Sequence, residues 1–153
     1  MPGANTHSTI GVLVGILFIA ATHYFFGWFC VNLLVCGLTP FIYLAIILLY
    51  CLLPDVDHPI STITWFFIGM ALTFLVYGFY IGEDPIIFFA ICLLAFTFIC
   101  AQWFSHRGPI HSIPAGLILS APLYYIFGWP HALLAFVCFY SHLASDGEWL
   151  KFW

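Results

Sequence analysis

Charge is what this chain has least of. Two basic and six acidic residues leave 5% of its 153 residues charged, where an ordinary soluble domain carries about 25%. That excludes a soluble globular domain. A formal net charge of -4 spread over so few groups specifies no acidic or basic partner, and no basic patch for nucleic acid is visible. Thiolate motifs are missing too. None of Cys30, Cys36, Cys51, Cys92, Cys100 and Cys138 forms a CxxC pair, so they read as small apolar packing residues rather than a zinc site or disulfide framework. Met1-Pro2-Gly3-Ala4-Asn5 lacks a basic n-region, so no cleaved signal peptide is expected. There is no low-complexity tract, long linker or internal repeat, and the expectation is a single membrane-embedded domain over residues 1–153.

What is present is mostly hydrocarbon: 65% of the residues are hydrophobic and 21% aromatic. Apolar stretches at 9–28, 33–53, 62–82, 85–105, 112–128 and 130–146 approach the roughly 20 residues a helix needs to cross a bilayer. The expected fold is therefore all-α, a polytopic membrane helix bundle of about six spanning helices. Prolines and glycines mark its breaks. Gly37 and Pro40 predict a kink early in the second span, and Pro54 and Pro59 bracket the link to the third. Gly82-Glu83-Asp84-Pro85 and Gly128-Trp129-Pro130 read as turns, and Pro114 and Pro122 interrupt the fifth span.

Against this background the few polar side chains fall into four clusters. They are Thr6-His7-Ser8, Asp55-Val56-Asp57-His58, Ser105-His106-Arg107-Gly108-Pro109-Ile110-His111-Ser112 and Ser141-His142-Leu143-Ala144-Ser145-Asp146. Two spans separate each cluster from the next, so an even number of crossings returns all four to one membrane face. His23, Glu83, Asp84 and His131 fall on the other face, and the two histidines there read as interfacial residues near aromatics. Both basic residues, Arg107 and Lys151, lie on the cluster face, which the positive-inside rule makes cytoplasmic.

Imidazole and carboxylate are ligands for divalent metals, and ionisable groups inside a membrane are costly to keep without a use. His142 and Asp146 are four apart and share a helix face; the plainer alternative is a polar helix end. Asp55, Asp57 and His58 offer two carboxylates and an imidazole just past a span, or simply a polar turn. His106 and His111 flank the helix break at Gly108-Pro109, so they can approach one ion from two directions. Arg107 suits a substrate anion or developing charge, or else snorkels to the interface. His7 gains its interest only from the shared face.

Leu53-Pro54-Asp55-Val56-Asp57-His58-Pro59, His106-Arg107-Gly108-Pro109-Ile110-His111-Ser112 and Ser141-His142 through Asp146 together resemble the LexA-regulated, inner-membrane metal-dependent hydrolases. That family carries an early His, a PDxDHP-like block, an HRGxTHS-like block and a late SHxxxD-like pair, in this order. Here Ile110 stands where the third motif has threonine. The resemblance implies metal ligands at His7, Asp55, Asp57, His58, His106, His111, His142 and Asp146. The late pair is also similar to the zinc-dependent phospholipase C and P1 nuclease group, which implies phosphoester cleavage.

The expectation is an inner-membrane hydrolase holding two or three divalent ions, zinc first and manganese second, facing the cytoplasm. A metal-activated water would attack a phosphorus or acyl centre, most readily a phosphoester, Arg107 would hold the substrate anion, and Asp57 or Asp55 would act as general base. The expected partners are membrane lipid and an amphiphilic, phosphate-containing substrate. Two alternatives stay open: a transporter or metal-binding protein without hydrolytic activity, and a structural bundle with an incidental metal clip. A transporter would need polar groups along the spans, whereas the His/Asp set gathers at one face.

Overall fold

A computed structural model describes residues 4–29, 37–103, 108–148 and 150–152 of the chain. Among the described residues there are six α-helices, one short 3-10 helix and no strand. The helices are α1 (Ala4–Phe26), α2 (Thr39–Leu52), α3 (Thr62–Ile81), α4 (Asp84–Trp103), α5 (Ile113–Phe127) and α6 (Trp129–Ser145). The 3-10 turn, Leu53–Asp57, continues directly from α2. The all-α expectation is met. Four segments are long and apolar enough to cross a membrane: Ser8–Phe26, Thr39–Asp57, Thr62–Ile81 and Asp84–Gln102. Helix α5 is apolar but has 15 residues, about 22 Å at 1.5 Å per residue, short of the roughly 30 Å hydrocarbon core.

The chain forms two compact units. One comprises residues 1–54 and 111–153, the other residues 55–110.

In the first unit α6 is the central helix, packing against α1, α2 and α5, while α1 also packs on α2. Its buried side is Leu134, Ala135, Cys138, Phe139, Ser141, His142 and Leu143. Close approach is made possible by glycines. A Cβ on Gly11 would fall on the Cys51 side chain, one on Gly15 would stand 2.6 Å from Ile47, and one on Gly116 would stand 2.7 Å from Phe139. Gly11 and Gly15, one turn apart on α1, therefore form the small-residue seam that membrane helices use to pack without a hydrophobic driving force. Tyr50 donates to the Leu119 carbonyl at 2.7 Å, tying α2 to α5.

Sequence punctuation explains the ends. Pro40 stands in the first turn of α2 rather than kinking it, because a residue there needs no N–H for an intrahelical bond. Gly37 takes a left-handed φ of 57° in the preceding turn. Ser112 caps α5 through Ala115 N at 3.3 Å, and Pro114 occupies its first turn. Pro122 is accommodated within that helix. Helix α1 begins earlier than expected: positions 4–8 are already helical, so position 7 lies one turn before Gly11 on the same face.

The second unit is an antiparallel helical hairpin, α3 against α4. Ser61 caps α3, its hydroxyl accepting from Thr64 N at 3.2 Å. Gly82 ends α3 in the left-handed conformation (φ 72°), which glycine adopts without the Cβ penalty. Gly78 lets the hairpin close, since a Cβ there would stand 2.8 Å from Ile87. Cys51, Cys92, Cys100 and Cys138 are thiols rather than disulfides.

Candidate metal centre

Three of the expected ligands meet inside the first unit. His111 precedes α5, His142 lies in the last turn of α6 and Asp146 is that helix's C-cap residue. His111 and His142 are 0% and 1% exposed, and the Asp146 side chain is 4% exposed. Asp146 Oδ2 lies 3.4 Å from His142 Nε2 and 3.8 Å from His111 Nε2. The two rings stand 5.5 Å apart by centroid, edge to face, with ring nitrogens within 4.8 Å of one another.

Local structure accounts for each position. The i, i+4 spacing on α6 brings His142 and Asp146 together. Ser112, by capping α5, fixes the backbone immediately after His111. The C-terminal segment then folds back: Ile113 N donates to Lys151 O at 2.9 Å, Glu148 N to Leu143 O at 2.9 Å, and Lys151 Nζ pairs with Glu148 at 3.1 Å.

A hydrogen bond settles the tautomer of His142. Its Nδ1 lies 2.7 Å from the Cys51 carbonyl oxygen. A carbonyl only accepts, so Nδ1 carries the proton and donates. In the neutral ring the Nε2 lone pair then faces Asp146. A lone pair and a carboxylate oxygen 3.4 Å apart repel unless positive charge lies between them, supplied by a proton on Nε2 or by a cation. Metal-bound histidines commonly donate their other N–H to a carbonyl in this way.

The donor set fits a divalent ion. Two imidazoles and a carboxylate are ligands that zinc and manganese accept. Two atoms each 2.0–2.1 Å from one tetrahedral ion stand about 3.4 Å apart, close to the 3.4 and 3.8 Å found between Asp146 and the two histidines.

The remaining expected residues are distributed as follows. Position 7 lies in the first turns of α1, and Gly11 one turn later meets Cys51, whose carbonyl holds His142. That end of α1 is therefore at the His142 end of the unit. The side chain of His7, together with His106 and Arg107, lies outside the described residues.

Asp55, Asp57 and His58 belong to the second unit. Asp57 is buried at 1% exposure, while Asp55 and His58 are half-buried. Their turn is held by local bonds: His58 N donates to Asp55 O and Ser61 N to His58 O, each at 3.0 Å. Thr64 Oγ1 lies 2.9 Å from the His58 carbonyl and 3.3 Å from that of Val56.

His23 and His131 sit at the opposite end of the first unit, and His131 lies among aromatics as the sequence suggested. His131 packs against Phe29, Tyr43 and Phe127 with centroids 5.4–5.7 Å away, and His23 Nδ1 donates to the Phe29 carbonyl 2.6 Å away. Sequence reasoning missed the Cys51 carbonyl, because a main-chain acceptor leaves no residue-type signal. It also passed over Ser112 as a cap, although Ser112-Ile113-Pro114 has the Ser-then-Pro pattern of a helix start.

No curated protein matches this chain, and neither does any solved structure. The family described as the YdjM inner membrane protein matches residues 1–150. With that match over nearly the whole length, and four helices apolar enough to cross a bilayer, the chain belongs to the YdjM inner membrane protein family.

Proposed function

We propose that this protein is a membrane-embedded metal-dependent hydrolase that cleaves a phosphoester in an amphiphilic, phosphate-containing lipid, such as a phospholipid or polyprenyl phosphate. One observation carries the reading. In a chain with 5% charged residues, His111, His142 and Asp146 converge at 3.4–3.8 Å with 4% exposure or less, and one of the imidazoles is preset to offer Nε2.

The same reading recruits the rest of the motifs. On the motif resemblance we assign Asp55, Asp57, His58, His106 and His7 as further ligands beside His111, His142 and Asp146, giving eight donors for two or three ions. Zinc is the first choice, with manganese accepted by the same donors. A bound divalent cation supplies Lewis acidity, making water nucleophilic at neutral pH and stabilising charge on oxygen. In this scheme Arg107 clamps the substrate anion through its fork of donors. Asp57 or Asp55, whichever is less engaged by metal, takes the proton of the attacking water. The Cys51 carbonyl holds the His142 ring in place through turnover. In this reading the face is cytoplasmic, which the positions of Lys151 and Arg107 support by the positive-inside rule. The LexA-regulated hydrolases, whose motif blocks the sequence resembles, support the same assignment.

The near-complete burial of the three side chains favours a second reading, a closed metal clip without turnover. One assay separates the two. Purified protein is incubated with a phospholipid and a polyprenyl phosphate in the presence of Zn2+ or Mn2+, and phosphoester cleavage is followed beside His142→Ala. Metal-dependent cleavage lost in the variant supports the hydrolase. Stoichiometric metal with no cleavage of either substrate supports the clip.

A further inference from the structure

The second unit carries a feature that the metal chemistry leaves unexplained. Between α3 and α4 runs a groove of about 530 Å3, lined by Thr64 and Ile68 on one side and by Ile91, Ala95, Phe98 and Gln102 on the other. The α4 residues recur at i, i+4, i+7 and i+11, one face of a helix. The groove exists because the hairpin is closed at its turn, where Gly78 brings α3 against Ile87, and is less tightly filled toward the other end.

Three observations identify its occupant. First, Ile91 is 53% and Phe98 63% exposed. Both helices are long and apolar enough to cross a membrane, which makes the surrounding medium lipid hydrocarbon. Second, Ile91 and Gln102 are eleven positions apart, roughly 16 Å along the axis. That is about half of the ~30 Å hydrocarbon core, the depth of one leaflet. Third, the polar members of the groove's lining, Thr64, Thr97 and Gln102, lie toward one end. Pro59, next to His58, lines it there, and Thr64 reaches the carbonyls of Val56 and His58. A chain lying in the groove thus places its polar head at the Asp55-Val56-Asp57-His58 turn.

We propose that the α3/α4 groove binds one hydrocarbon chain of a membrane lipid and presents the lipid's head group to that turn. As a substrate-tail site this rests on the hydrolase reading; as a lipid-binding groove it stands on the geometry alone.

The test uses a phosphatidylglycerol bearing a diazirine midway along one acyl chain, in phosphatidylethanolamine/phosphatidylglycerol vesicles containing the full chain. Photolysis adducts are mapped by peptide mass spectrometry. The expected result is adducts concentrated on Thr64–Ile68 and Ile91–Gln102. Ala95→Trp, which fills the groove, should lower them about tenfold, equivalent to about 1.4 kcal/mol. Cys92→Trp, at an exposed position outside the lining, should leave them unchanged. Adducts spread evenly around both helices of the wild-type protein would show annular lipid only and overturn the proposal. The wild-type map decides even where Ala95→Trp does not fold. Protein that is labelled in the groove but cleaves nothing keeps the groove and removes the enzyme; active protein labelled evenly does the reverse.

Discussion

The two ends of the first unit hold the same side chain in opposite circumstances. At one end the His142 ring donates to a carbonyl and faces a carboxylate, with a second imidazole beside it. At the other, His131 is packed among three aromatic rings. Burial alone therefore says little about what a histidine does. The neighbours decide: a carbonyl behind the ring and an anion in front prepare it for a cation, whereas rings on several sides make it a packing residue. The first arrangement is costly in an apolar medium unless something positive completes it.

Ways of breaking this contrast rank by expected effect. Metal removal comes first. A ligand present at a thousand times its dissociation constant stabilises by about 4 kcal/mol. Stripping divalent ions with a chelator should therefore lower the thermal transition of the wild type and of His131→Ala, while leaving Asp146→Ala, which has lost its carboxylate, where it was. A transition that falls equally in all three would separate the ions from Asp146.

Next are the seam glycines. Overpacking costs about 1–3 kcal/mol, and both Gly11→Val and Gly15→Val should lose that much in denaturation. Only Gly11→Val should also weaken metal binding, because Gly11 rests on Cys51 and Cys51 holds His142. Equal metal affinity in the two variants would mean that the carbonyl does not transmit the disturbance.

Helix caps give a smaller effect. Ser112→Ala and Ser61→Ala should each cost about 1 kcal/mol. The expected difference lies in the metal: the Ser112 change, adjacent to His111, should reduce zinc affinity in a titration, and equal affinities in the two variants would remove that role. The smallest effect is expected at the closing turn. Lys151→Ala breaks a half-buried ion pair with Glu148, worth about 1 kcal/mol or less, and should alter neither metal content nor the aromatic end.

Much of this architecture is legible in the sequence, for identifiable reasons. Runs of hydrocarbon near 20 residues mark α1 to α4 because a bilayer imposes a length. Counting crossings places His142 and His111 at one end and His131 at the other, which the contacts within the first unit bear out. The i, i+4 pair His142 and Asp146 follows from helical spacing alone. Packing was less visible. Gly11 and Gly15 look like any glycines in an apolar run until Cys51 and Ile47 are seen against them. Pro40 suggested a kink because the start of α2 was expected six residues earlier than Thr39; once the helix begins there, the proline is an ordinary first-turn residue. The 3-10 turn around Asp55 and Asp57 reads from the sequence only as a polar turn, since a five-residue helix with prolines about it has no periodicity to detect.

The most direct test of the contrast is elemental analysis of protein purified in detergent, wild type beside His142→Ala and His131→Ala. The account predicts stoichiometric zinc or manganese in the wild type and in His131→Ala, and background levels in His142→Ala. Metal absent from the wild type, or held equally by all three proteins, would contradict it.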